Sequence, residues 1–187
     1  MLGINQLRLW STQPRAAQST FAAMFRHGIF LPVISAALLG ASPMPSPKVQ
    51  CESLLDAVLP VATKTLKEHG EFYPFGASLK QDGKVALAMA YDGREKPPSQ
   101  PLIDMLREGF RADASTRKII ASAVVYDVRV IPPGTSEKID AVAVELDHRD
   151  NYSVVVFFPY TIRDGTVDIR EPFANKGEGR IFPHVGS

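Results

Sequence analysis

One cysteine, Cys51, in a chain of 187 residues excludes an intrachain disulfide, and with it every scaffold that relies on disulfide staples. Four histidines, His27, His69, His148 and His184, lie too far apart to form a helical metal pair. With one thiol besides, the sequence offers no zinc set. It also lacks a Gly-x-Ser-x-Gly elbow and a Walker-type phosphate loop, so neither an α/β-hydrolase nor a P-loop nucleotide site is expected. No cofactor is implied.

Acidic residues are missing from the first 51 positions, which carry only Arg8, Arg15, Arg26 and Lys48 as charges. The net charge of +1 conceals this asymmetry. Beyond position 51 the chain has 17 basic residues against 20 acidic, and no basic stripe interleaved with aromatics. A mildly acidic body repels a phosphate backbone, so nucleic acid is not an expected partner.

Long apolar runs are scarce too. The longest feature of this kind, Gly28–Ala41, follows Arg26 and His27 and contains Pro32. It falls short of the roughly 20 residues a membrane span needs. Residues 1–48 therefore read as a leader in one of three forms: signal-like, transit-like, or a start assigned too early, with Met24 or Met44 as the true beginning. The first form implies export and the last a cytoplasmic protein. In every form the leader is expected to be dispensable for folding.

What is there is an ordinary globular body, 45% hydrophobic and 22% charged over the whole chain. Leu54, Leu55, Val58, Leu59, Ala62 and Leu66 recur at helical spacing, which predicts a first helix opening at Glu52 or Ser53, kinked or shortened in its first turns by Pro60 and stopped by Gly70. Phe72–Leu79 and Lys84–Tyr91 predict a hairpin around Gln81-Asp82-Gly83. In the return strand Val85, Leu87 and Met89 share one face. The alanines 86, 88 and 90 share the other, and their small size predicts a close neighbour there. Ser99 is expected to cap a second helix, with Leu102, Ile103, Leu106 and Phe110 on its buried face and Glu108 outside.

Strands are expected at Ile119–Ile131, Ala141–His148, Tyr152–Phe158 and Val167–Arg170. Alternation of Val142, Val144 and Leu146 with Glu145 and Asp147 predicts a sheet with one wet face. Short links favour hairpins over crossovers. The fold class is α+β: a mostly antiparallel sheet of five to six strands with two helices, in the order α-β-β-α-β-β-β-β. It is expected to be one domain over 49–174, followed by a flexible tail over 175–187.

The segments Phe72-Tyr73-Pro74-Phe75-Gly76-Ala77, Tyr91-Asp92-Gly93, Pro97-Pro98-Ser99-Gln100 and Tyr126-Asp127-Val128-Arg129-Val130 resemble a group of small bacterial proteins of unassigned function. The resemblance covers roughly Ser53–Phe173 and omits the leader. It supplies no catalytic residues.

Two constellations compete for a functional role. Asp127 and Arg129, two apart on one strand, project together, and Glu145, Asp147 and His148 lie on or beside the next strand. A cross-strand charge pair accounts for them, and a small enzyme using Asp127, Arg129 and His148 is the alternative. The other is an aromatic and proline cluster of Phe72, Tyr73, Pro74, Phe75, Tyr91, Pro97, Pro98 and Tyr160, suited to a peptide or small ligand. Without a nucleophile-base motif, a non-enzymatic binding module is favoured, with an unidentified protein or small molecule as partner, or a second copy in a homodimer. Tyr91, Tyr160 and Arg129 are the residues expected to line its site.

Overall fold

Ser46 opens the first helix by accepting the Val49 N–H on its hydroxyl, and Pro47 follows where a missing N–H costs nothing. The structure, a computed structural model, describes residues 44–182. Helix α1 (Pro47–His69) thus starts about a turn earlier than the apolar spacing predicts, because the cap lies outside the stripe. The expected leader lies almost wholly outside the described residues, save its last few positions, of which Pro47 and Lys48 belong to α1. The helix passes through Pro60, which sits on its exposed side, where the released carbonyl can meet water. Gly70 ends it at φ 76°, a left-handed conformation suited to glycine, with its N–H on the Leu66 carbonyl.

Strands β1 (Phe75–Lys80) and β2 (Val85–Met89) form the expected hairpin. Helix α2 (Ser99–Ser115) leads into β3 (Ile119–Val130), β4 (Ile139–His148), β5 (Tyr152–Arg163) and β6 (Thr166–Ile169). The fold is α+β in the expected order, with one strand more than anticipated, β7 (Phe173–Lys176). All pairings are antiparallel, in the order β2-β1-β3-β4-β5-β6, and β7 takes the remaining length of the β5 edge.

Strand periodicity of two gives the sheet two distinct faces. Cys51, Leu54, Val58, Ala62 and Leu66 of α1 press on one, against Ala77, Ala123, Val125, Val144 and Leu146. Ile103, Leu106 and Phe110 of α2 press on the other, against Val124 and Tyr126, with Ala88 and Ala90 at the margin. The small residues of β2 and Gly76 of β1 let α2 approach closely: a Cβ on Gly76 would lie 2.7 Å from the Phe110 ring.

The sheet therefore has no wet face along β4, contrary to the alternation argument. Glu145 and Asp147 point toward α2 and the C-terminal segment, and Asp147 is buried. Nor is the chain loose over 175–182; the rest of the expected tail, 183–187, lies outside the described residues. Gly177 N–H bonds the Ser153 carbonyl, and the Asp147 carboxylate accepts the N–H groups of Ile181 (2.7 Å) and Phe182 (3.2 Å). Those two apolar side chains are buried against the α2 cluster. Among the described residues no helix is long and apolar enough to cross a membrane.

Candidate binding groove

Helix α1 covers the centre of its sheet face but leaves the edge strand largely bare. Leu87 is 57% exposed and Met89 84%, although both sit on the α1 side in register with Ala77 and Phe75. The space beside them is a groove of about 850 Å³. Val61, Thr65 and His69 of α1 form one wall, Leu87 and Met89 the floor, and Phe72, Tyr73 and Pro97-Pro98 the rim. Phe72 stacks edge to face on Phe75, with ring centroids 5.9 Å apart. The Tyr73 hydroxyl donates to the Glu95 carbonyl at 3.4 Å, which ties the loop before α2 to the mouth of β1.

Two carboxylates, Glu71 and Asp127, and one cation, Lys96, also line the groove, and packing shifts the pKa of Asp127. Asp127 of β3 accepts a hydrogen bond from the Tyr160 hydroxyl at 3.0 Å and keeps an open side toward the groove. Packing around it pushes its carboxyl above the usual range, against the pull of the Tyr160 bond and with some help from Asp140. A mostly apolar concavity with one convergent, perturbed polar group is the common form of a ligand site.

The residues expected to line one concavity do not do so. Tyr91 lies just past β2, exposed and outside the groove. Tyr160 is buried beneath α1 because β5 runs on to Arg163, so this tyrosine is not at a strand end. It reaches the site only through its hydroxyl on Asp127. Arg129 is exposed and shares a separate shallow hollow of about 430 Å³ with Tyr160. Of the aromatic and proline cluster, Phe72, Tyr73, Phe75, Pro97 and Pro98 do come together, while Pro74 is fully buried. Leu87, Met89 and Asp127 complete the groove; the alternation of β2 already marked the first two as one face.

The charged constellation also separates. Arg129 pairs with its cross-strand neighbour Asp140 at 3.2 Å, not with Glu145 or Asp147, which occupy the opposite sheet face. Its partners are both more than half exposed, so the pair is worth ~0.2–1 kcal/mol. Asp127 and His148 lie opposite Val142 and Ala121, six residues apart along β3, hence roughly 20 Å. They cannot act on one substrate atom. Glu145 instead takes a two-pronged bond from Arg107 of α2, at 2.5 and 3.1 Å, and a third from the Tyr126 hydroxyl at 3.0 Å.

His148 is structural. Its Nδ1 accepts the Asp150 N–H at 3.0 Å, which fixes the proton on Nε2, where it is donated to Gln50 Oε1 at 2.6 Å. The ring thereby fastens the first turn of α1 to the end of β4. Burial holds its pKa below the ordinary 6.5; Asp150 opposes the shift and Arg149 adds to it. An unfolded chain takes up a proton here before the folded one does, so the contribution is complete above about 6.5 and is lost as pH falls below it. The melting temperature is expected to drop between pH 7 and 5, and His148→Asn to flatten that slope while lowering stability at pH 7. A slope unchanged in the variant would assign the loss elsewhere.

Cys51 faces the core, where burial, then the charges of Asp147 and Glu52, push its thiol up to about 12. It stays protonated and unreactive at neutral pH. Among the described residues no group of His, Cys, Asp or Glu is placed to hold a metal ion. Comparison of the chain with protein-family models, with curated proteins and with solved structures found no match among any of the three.

Proposed function

We propose that this domain is a binding module whose groove beside β2 seats an elongated apolar ligand bearing one cationic group. The observation that carries the reading is the groove itself. About 850 Å³ is enough for a short peptide segment or a drug-sized molecule, and its floor keeps Leu87 and Met89 open to solvent. Apolar side chains in a concavity favour an apolar body, and Asp127 with Glu71 outweighs Lys96 in the lining, which favours a positive head over a negative one. The catalytic alternative needs Asp127, Arg129 and His148 at one place, and their separation removes its support.

A dansyl fluorophore on an alkyl amine serves as the probe. Its emission is expected to rise and shift to the blue on binding. Tyr73→Ser and Leu87→Ala should weaken it severalfold with the fold retained, since both side chains are about half exposed. Asp127→Asn should weaken the amine probe about tenfold, or ~1.4 kcal/mol, and leave its neutral amide analogue unchanged. Equal binding by all three variants would remove the groove as the site.

A further inference from the structure

We propose that β2 pairs with β2 of a second copy about a twofold axis at Leu87, joining two sheets into one. The register of the hairpin decides which backbone groups are free. Lys80 N–H bonds the Lys84 carbonyl, so Lys80 and Lys84 form a hydrogen-bonded pair. Counting by twos along the ladder, Ala86 and Ala88 spend their backbone groups on Ser78 and Gly76 of β1. Val85, Leu87 and Met89 must then direct theirs outward, and β2 is the terminal strand of the sheet among the described residues.

That outward row is self-complementary. With Leu87 opposite Leu87 of the second copy, Val85 falls opposite Met89, and these three pairs exchange backbone bonds while their side chains meet on the α1 side. Lys84 falls opposite Ala90, so no like charges face each other within the strand. Sheet edges are commonly protected by proline, bulges or inward charges, and Val85–Met89 has none of these. The opposite edge differs: β5 is closed by β6 and β7, and β6 carries Asp168.

Tyr73, Val85, Leu87, Met89 and Tyr91 are 47%, 38%, 57%, 84% and 71% exposed. Together they expose at most roughly 600 Å² per copy, and edge pairing covers the part of it that faces the second copy. Exposure of that extent on one side of a small domain lies at the upper end of what a monomer carries, where patches are often functional. The pairing also extends the floor of the groove into the second copy, but it does not depend on what the groove binds.

Sedimentation of the full chain over a concentration series tests this, together with backbone hydrogen exchange. The chain is expected to dimerise, and Val85→Lys to weaken the dimer at least 100-fold while melting as the dilute wild type does. Val85 does not line the groove. The variant should therefore still bind the dansyl amine, which separates a failure of the dimer from a failure of the binding reading. Exchange should slow with rising concentration at the amides of Val85, Leu87 and Met89, and not further at Ala86 and Ala88. A chain monomeric at about 1 mM, far above the range of a specific interface, overturns the proposal. So does a dimer that Val85→Lys leaves intact and in which the alternating protection is missing.

Discussion

Replacing Arg107 by methionine is expected to destabilise the domain by about 3–5 kcal/mol, because it leaves a carboxylate between helix and sheet without its cation. The side chains of Arg107 and Glu145 are only 9% and 17% exposed, and the guanidinium meets both carboxylate oxygens. With Arg107 gone, Glu145 keeps only the Tyr126 hydroxyl, itself held protonated well above the usual tyrosine range by burial and by Glu145. Asp104 touches the same guanidinium but stands at the surface, where water serves in place of the lost partner. The double change Arg107→Met with Glu145→Met should cost far less, within about 1 kcal/mol of wild type, since two apolar groups then fill the same layer. The denaturant midpoint should move with an unchanged slope in the single variant and largely return in the double. Losses that simply add across the two substitutions would mean the pair is not coupled, and a single-variant loss under about 1 kcal/mol would mean it behaves as a surface bridge.

That pair also shows where the sequence stops being readable. The stripes of α1 and α2, and the two-faced alternation of β2, follow from local periodicity, and the structure reproduces them. Glu145 and Asp147, alternating with Val144 and Leu146, carry the local signature of a wet face. Their partners are Arg107, 38 residues earlier, and the Ile181 and Phe182 backbone, more than 30 residues later. No window of ten or fifteen residues contains both ends of such a contact. Arg107 itself lies one position after Leu106, on the flank of the buried stripe, where arginine normally reads as a wet margin. The C-terminal segment misleads for the same reason: its glycines suggest coil, while the signal that counts is the apolar pair Ile181-Phe182.

The groove was half legible. Phe72, Tyr73, Pro97 and Pro98 stand out as a cluster from composition alone. Which aromatic faces the concavity depends on where β5 ends and on how far α1 extends over β2, and both are tertiary facts. Tyr160 is the instructive case. A strand ending at Phe158 would leave it at a solvent margin, but the longer β5 pairs it with Ile169 and turns its ring under α1.

Leu106→Ala is expected to cost about 2–5 kcal/mol, from lost burial plus the cavity left between α2 and the sheet. Leu106 is 5% exposed, with Leu102 and Phe110 buried one turn to either side. Phe110 cannot slide in to fill the gap, since its ring already rests against the backbone at Gly76. Collapse of the site is thus restricted, and restricted collapse places such a substitution toward the costly end of the range. A loss of about 3 kcal/mol in a domain of this length lowers the melting temperature by roughly 10 °C. Glu108→Ala, on the exposed side of α2, should stay within about ±0.5 kcal/mol in the same urea melts. Leu87→Ala supplies the sharper comparison, because it deletes the same atoms at a position 57% exposed. Its stability should be nearly that of wild type while probe binding falls, whereas Leu106→Ala should lose stability and still bind the probe at temperatures where it is folded. Similar losses of stability at 87 and 106, in samples dilute enough to be monomeric, would mean that β2 is covered by its own chain, and the exposed face on which the groove depends would not exist.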